Sequence, residues 1–148
     1  MSWLLKYFDE LTVQELYAIL QLRNEVFIIE QNCIYPDLDD KDQAAHHLMC
    51  FENNKLIAYT RILAPGISYP DPAIGRVVTA PGARRSGLGK ELMQRSIDSC
   101  KNLFGNTSVT LSAQLYLKKF YESLGFSAVS EVYLEDGIAH VKMTRKAS

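Results

Sequence analysis

Arg84-Arg85-Ser86-Gly87-Leu88-Gly89-Lys90 stands between an apolar run, Ile74 to Thr79, and an amphipathic one, Leu88 to Phe104. That order reads as a strand, a tight basic loop and the start of a helix. The first-turn amides of a helix lack intrahelical partners, and the macrodipole puts partial positive charge there, so the motif suits an anion such as phosphate. Gly87 and Gly89 lack a Cβ and let a ligand approach the backbone, while Arg84, Arg85 and Lys90 add full positive charges. Charge-assisted hydrogen bonds contribute roughly 1.5–3 kcal/mol each, so three or four suffice to hold a pyrophosphate. Without its flanking strand and helix the same stretch would read as an ordinary solvated basic turn.

Two familiar phosphate loops are excluded by the spacing. A Walker-type loop needs Gly, four residues, then Gly-Lys-Ser/Thr; Gly82 and Gly87 are spaced correctly, but Leu88 follows, and Lys90 precedes Glu91. A dinucleotide fingerprint needs a third glycine three residues after Gly89, where Leu92 stands.

The remaining pattern, Arg84-x-x-Gly87-x-Gly89 opening a helix, resembles the GNAT superfamily of acyl-CoA-dependent N-acetyltransferases. A second block, Gln114 to Phe126, is similar to the family's later segment, in which an Asn begins a helix, a Tyr lies seven residues on and Gly-Phe closes it. Tyr121 and Gly125-Phe126 match, and Gln114 replaces the Asn. Arg23 to Phe27, Glu30-Gln31-Asn32-Cys33, Tyr35, Asp37, Asp39 and Gly75-Arg76-Val77 resemble the ElaA branch of GNAT proteins over nearly the whole chain.

The resemblance implies acetyl-CoA as co-substrate; no metal is expected. It implies that the amides of Arg84, Arg85, Ser86, Gly87, Leu88, Gly89 and Lys90 hold the coenzyme pyrophosphate. The strand around Val77, Val78 and Thr79 would pair with the pantetheine arm, with Gln114 making a further contact to that arm. The Val78 amide would donate to the thioester carbonyl, where negative charge grows as the amine attacks. Tyr121, which by helical spacing alone reads as core, becomes the general acid: a phenol of pKa about 10 protonates a departing thiolate of pKa about 8.5 only if held against it.

The chain has 148 residues, a length that predicts one N-acetyltransferase domain over 1–148. A net charge of -1 and a pI near 6.3 argue against general nucleic-acid affinity. Met1 to Leu11 lacks the basic start and apolar core of a signal peptide, and no apolar run approaches membrane-spanning length, so a cytoplasmic protein without a membrane partner is expected. Cys33, Cys50 and Cys100 are odd in number and without a Cys-x-x-Cys pair, which favours neither disulfides nor zinc.

Thr12 and Glu15 have capping-box spacing, so a helix is predicted from Val13 to about Ile29, with Leu16, Ile19, Leu20, Val26 and Phe27 inward. His47 to Phe51 and Lys55 to Leu63 predict a hairpin turned by Asn53-Asn54, and Ala64 to Ala73, with three prolines, an exposed loop. Leu88, Leu92, Met93, Ile97 and Cys100 form the buried stripe of the next helix. Ser108 to Ala113 reads as a strand, and Leu117 to Leu124 as a helix capped by Gly125. Phe126 to Leu134 and Ile138 to Thr144 read as a hairpin about Asp136-Gly137. The class is α/β, a mixed, mostly antiparallel sheet flanked by helices, in agreement with the GNAT fold that the resemblance implies. If exposed, the final hairpin offers a homodimer interface.

The acceptor side is less determined. An alkyl amine of pKa about 10.4 is charged at pH 7, and exposing its lone pair costs about 4.6 kcal/mol. Asp37, Asp39, Asp40 and Asp42, with Glu30, either attract a cationic small-molecule or peptide amine or form a solvated charged loop. Their spacing matches the start of a calcium loop, but Asp42 replaces the required Gly and Leu48 the required Glu, which excludes calcium. Of His46, His47 and His140, the last is best placed for catalysis or substrate binding, because it follows the final turn and the ElaA branch also has a His there. Arg61 and Arg76, in apolar strands, are structural ion pairs or anchors for a substrate carboxylate. Cys33 with a nearby His could form an acyl-enzyme, but no third orienting residue accompanies it. A non-catalytic acyl-CoA-binding or interaction module is the alternative to the transferase.

Overall fold

The computed structural model describes residues 1–84 and 87–148. Eight strands form one sheet: β1 (Ser2–Tyr7), β2 (Ala45–Glu52), β3 (Lys55–Leu63), β4 (Ala73–Thr79), β5 (Val109–Gln114), β6 (Phe126–Ala128), β7 (Tyr133–Glu135) and β8 (Ile138–Arg145). Their order is β1-β2-β3-β4-β5-β8-β6, with β7 also on β8, and every pairing is antiparallel except β4 with β5. Helices α1 (Val13–Arg23) and α2 (Leu88–Phe104) pack on β3 and β4, and the short α3 (Lys118–Glu122) on β5 and β6. The predicted mixed, mostly antiparallel α/β architecture is the one found.

Local signals explain most boundaries. Thr12 Oγ1 accepts from the Glu15 amide at 3.0 Å and Glu15 Oε1 from the Thr12 amide at 2.8 Å, closing the capping box that starts α1. Asn53 and Asn54 (φ 52° and 63°), like Asp136 and Gly137 (φ 51° and 78°), adopt the left-handed pairs that a two-residue hairpin requires. Along α2 the stripe Leu88, Leu92, Met93, Ile97 and Cys100 is buried as predicted. Ser96 joins it, its hydroxyl 2.7 Å from that of Thr60 on β3.

Three expectations are corrected. The first strand was not anticipated, because Ser2–Tyr7 lies at the sheet edge with three of its six residues exposed and so lacks a clean alternation. The first helix reaches Glu30, but over Asn24–Glu30 it widens to π-type winding, with the Gln31 amide bonding Val26 O and that of Cys33 bonding Ile28 O. The stretch Phe126 to Leu134 is two short strands on β8 rather than one, because 129–132 leaves the ladder.

The junction of β4 with its neighbours shapes the site. Tyr59 pairs with Val78 and Arg61 with Gly75, so Arg76 and Val77 stand together opposite Thr60 as a β-bulge. Arg76 takes φ 51°, uncommon for a residue with a Cβ. On its other side β4 meets β5 only through Ala73 and Thr110, and beyond that pair the two parallel strands separate.

Candidate active site

The gap between β4 and β5 opens into a cavity of about 830 Å³, a size that suits a small-molecule or cofactor site. Val77, Val78 and Thr79 line it from β4, while Gln114 and Tyr121 line it from β5 and α3. Glu30, Asp39, Arg84, Gly89 and His140 reach it from other elements. These residues singled out from the sequence therefore share one cavity, which Cys33, Arg61 and Arg76 also line. Gly87 and Lys90 are exposed beside it, whereas Leu88 is packed in the core. Arg85 and Ser86 lie outside the described residues.

Gly87 is the N-cap of α2, at φ 89°, and has no side chain with which to cap the first amides of this 17-residue helix. A Cβ built on Gly87 would meet nothing within 4 Å, but its left-handed φ favours glycine. A Cβ on Gly89 would approach Phe120 at 3.9 Å. These features fit a pyrophosphate on the helix end. Arg84 is engaged by Glu30, one nitrogen 2.9 Å from Oε2 and the other in a shorter contact with Oε1. The Arg84 hydrogen bonds hold the Glu30 carboxyl below its usual range.

Tyr121 is 4 % exposed and packs edge-on against Phe120 and Phe126, with ring centroids 5.2 and 6.0 Å away. Burial, with a smaller contribution from Tyr116, pushes its phenol well above the usual range, so it carries its proton at neutral pH. Gln114 ends β5, and its amide exchanges long hydrogen bonds of 3.3 and 3.4 Å with that of Gln31. His140, opposite Gln114 on β8, is 7 % exposed.

The acidic stretch is neither a solvated loop nor a free cation trap. Asp37 Oδ2 is 2.9 Å from Arg23 Nε, and Asp37 Oδ1 is 2.8 Å from Arg76 Nε and 3.0 Å from the Tyr35 hydroxyl. Asp39 receives a two-pronged contact from Arg61 at 2.8 Å on each oxygen, and Asp42 Oδ1 lies 2.7 Å from Arg23 and 3.0 Å from Arg61. Three guanidinium and three carboxylate charges cancel in a cluster at whose centre Arg23 is 0 % exposed. Only Asp40 of this group is exposed. Burial alone would raise the Asp39 carboxyl, but the Arg61 hydrogen bonds and charge outweigh it and bring it down to about 2.

Arg61 and Arg76 are thus structural ion pairs. Buried charge of either sign requires this pairing, since an uncompensated ion in the interior costs several kcal/mol. Arg61 Nε has no partner, the one such buried side-chain nitrogen or oxygen among the described residues. The sequence carried a signal for Arg23: it lies four residues after buried Ile19 on α1, a phase where a cation must find carboxylates.

Two histidines belong to the frame. His47 is 0 % exposed, bonded to the Tyr59 hydroxyl at 2.6 Å and the Asp42 carbonyl at 3.0 Å, while His46 packs on Tyr7 and Phe104. Burial lowers the pKa of both. Cys33, Cys50 and Cys100 are free thiols, and the Cys33 thiol donates to the Asp136 carbonyl at 3.3 Å. Among the described residues no group of three or more His, Cys, Asp and Glu could hold a metal, and no helix is long and apolar enough to cross a membrane.

Residues 10–147 match the model of the acetyltransferase (GNAT) domain family. The chain is 40 % identical to protein ElaA of Escherichia coli over 147 residues, 98 % of this chain and 96 % of that one. Its fold superposes on the crystal structure of E. coli ElaA with a TM-score of 0.92, covering 99 % of this chain and 100 % of that one. It superposes on an acyl-CoA N-acyltransferase from Pseudomonas aeruginosa with a TM-score of 0.93 at 46 % identity, covering 98 % and 99 %. The basic glycine loop opening α2, the strands parting around a common cavity and these full-length likenesses give one conclusion: the chain belongs to the GNAT acetyltransferase family, whose fold implies an acyl-CoA co-substrate.

Proposed function

We propose that residues 1–148 form one N-acetyltransferase domain that moves an acetyl group from acetyl-CoA to a primary amine by direct attack, with both substrates bound together. The observation that carries this reading is the parting of β4 from β5 after Ala73 and Thr110, with Val78 and Tyr121 lining the same cavity and the open end of α2 beside it. In this reading the strand Val77 to Thr79 takes the pantetheine arm and the amides from Gly87 onward take the pyrophosphate, with Arg84 and Lys90 adding charge. The Val78 amide donates to the thioester oxygen as it becomes an oxyanion. Tyr121 gives its proton to the departing thiolate, a role supported by its place in the cavity, since burial by itself makes the phenol a weaker acid.

The acceptor is a small-molecule or peptide amine. With Asp37, Asp39 and Asp42 neutralised by arginines, attraction by the acidic stretch no longer argues for a polycation. The test is release of CoA thiol from acetyl-CoA across polyamines, aminosugars, amino acids and short peptides, with Tyr121→Phe in parallel. The reading predicts release with one amine class and a loss of about 10²–10⁴-fold in the variant. Wild-type turnover by Tyr121→Phe at every pH would remove the general-acid assignment. Thermal stabilisation by acetyl-CoA without thiol release would favour a non-catalytic binding module.

A further inference from the structure

His140 is placed to do what the transfer needs and the groups above do not supply, removal of the acceptor's ammonium proton. Its Nδ1 lies 2.7 Å from the Ile138 carbonyl oxygen. A carbonyl only accepts, so Nδ1 carries the hydrogen and donates it, and the neutral ring keeps its lone pair on Nε2. That second nitrogen is 3.4 Å from Glu135 Oε2, and the ring lines the cavity. The imidazole is stacked on Tyr133 at 6.1 Å between centroids and 22° between planes, and the Tyr133 hydroxyl is itself hydrogen-bonded to Ser112. One face and one nitrogen are therefore fixed, and Glu135, with 52 % of its side chain exposed, connects the other nitrogen to solvent.

We propose that His140 is the general base of the acetyl transfer and Glu135 its positioning residue, an assignment that rests on the transferase reading above. Nε2 takes one proton from the ammonium group, and the freed nitrogen lone pair forms the C–N bond to the thioester carbon. The C–S bond breaks, and the thiolate takes the phenolic proton of Tyr121. The surplus N–H proton of the adduct passes to water, from which the phenol is restored, and the imidazolium returns its proton to solvent beside Glu135. One ammonium and one thioester give one amide, one thiol and one released proton. The Glu135 carboxylate, 3.4 Å from Nε2, orients the ring. The ionisable groups around the ring are Glu135 and Tyr133 on β7, Asp136 in the turn and Cys33, whose thiol donates to that turn; across β5 stand the neutral Gln114 and Ser112.

Two measurements on the full chain decide this. Nitrogen-15 imidazole spectra, with the His140 signals assigned by their loss in His140→Gln, report the tautomer: Nδ1–H is expected, and an Nε2–H neutral ring overturns the proposal whatever the turnover. Thiol release is then compared for spermidine, glucosamine, glycinamide and benzylamine, which are ammonium ions at neutral pH, and for aniline, which is not. His140→Gln should lose about 10²–10⁴-fold in kcat/KM with the charged amines and change little with aniline. Glu135→Gln should give a smaller loss with the same selectivity. Equal losses on both kinds of amine, with acetyl-CoA affinity unchanged, would reduce His140 to a positioning role and overturn the base assignment alone. Failure of the wild-type chain to release thiol with any of these amines would overturn the transferase reading and the base with it.

Discussion

Arg76 Nε donates to Asp37 Oδ1 at 2.8 Å, and Arg76 is also the residue whose left-handed backbone makes the bulge in β4. Its side chain is thereby tied to the segment before β2 while its main chain sets where β4 leaves the regular ladder, two residues before Val78. With the pairs of Arg76 and Arg61 to Asp39, this ion pair links the acidic stretch to the wall of the cavity.

Removing Asp37 leaves two guanidinium groups short of a buried carboxylate, so Asp37→Ala is expected to cost about 3–5 kcal/mol, or on the order of 10 °C in Tm for a chain of this size. Arg76→Gly should cost less, because glycine accepts positive φ freely and Asp37 keeps Arg23 and Tyr35. Thermal unfolding of both variants tests the order. An Asp37→Ala chain as stable as Arg76→Gly would show that the cluster does not depend on this carboxylate.

Acid should destabilise the fold in two stages. His47 is buried and its folded pKa is lowered, so it must be charged on unfolding; its contribution is present above the unfolded value of about 6.5 and is lost as pH falls through its folded value. Asp39, down to about 2, contributes stability above about 3.9 that disappears as pH falls towards 2, and Asp42 is lowered in the same sense. Denaturant midpoints measured from pH 8 to pH 2 should decline in both windows, and His47→Gln should shrink the upper one, leaving the share of His46. A flat profile between pH 7 and 5 in the wild-type chain would contradict the neutral buried His47.

The legible parts of the molecule were those governed by local chemistry. The capping box at Thr12, the two turns of paired positive φ and the stripe on α2 each follow from residues within one helix face or one turn, and each formed where expected. The family motifs led to residues of one cavity although Glu30 and His140 are 110 positions apart in the chain. What stayed hidden depends on partners distant in sequence. Nothing in Asp37 to Asp42 says whether the carboxylates face water or guanidinium groups; that is decided by Arg23, Arg61 and Arg76 arriving from α1, β3 and β4. The bulge at Arg76 was hidden for the same reason, since its φ is favoured by no local propensity and is accompanied by ion pairs to Asp37 and Asp39.

Glu30 competes for the guanidinium expected to meet the coenzyme. Glu30 is exposed and Arg84 holds its carboxyl below the usual range, so the competitor carries its charge at neutral pH. Both groups are exposed, and such pairs are worth little, so Glu30→Gln should tighten acetyl-CoA binding by at most about fivefold. Arg84→Ala should weaken binding and reduce its salt dependence. Calorimetric titrations at two salt concentrations check this; weaker binding in Glu30→Gln would mean that Glu30 supports the coenzyme site instead of occupying its cation.

Cys33 lines the cavity, and an acyl group passed through its thiol would make the reaction stepwise. Its hydrogen points to the Asp136 carbonyl, an acceptor that cannot take the proton. A nucleophilic cysteine needs its thiolate stabilised by a neighbouring cation or base, and Cys33 has no salt bridge or hydrogen bond to such a group among the described residues. Cys33→Ala should therefore keep wild-type turnover, and intact-mass spectra of the chain quenched during turnover should show no added acetyl group. An acetylated Cys33 peptide, together with an inactive Cys33→Ala, would replace direct attack in a ternary complex by a two-step transfer, and initial-rate patterns would then change from intersecting to parallel lines.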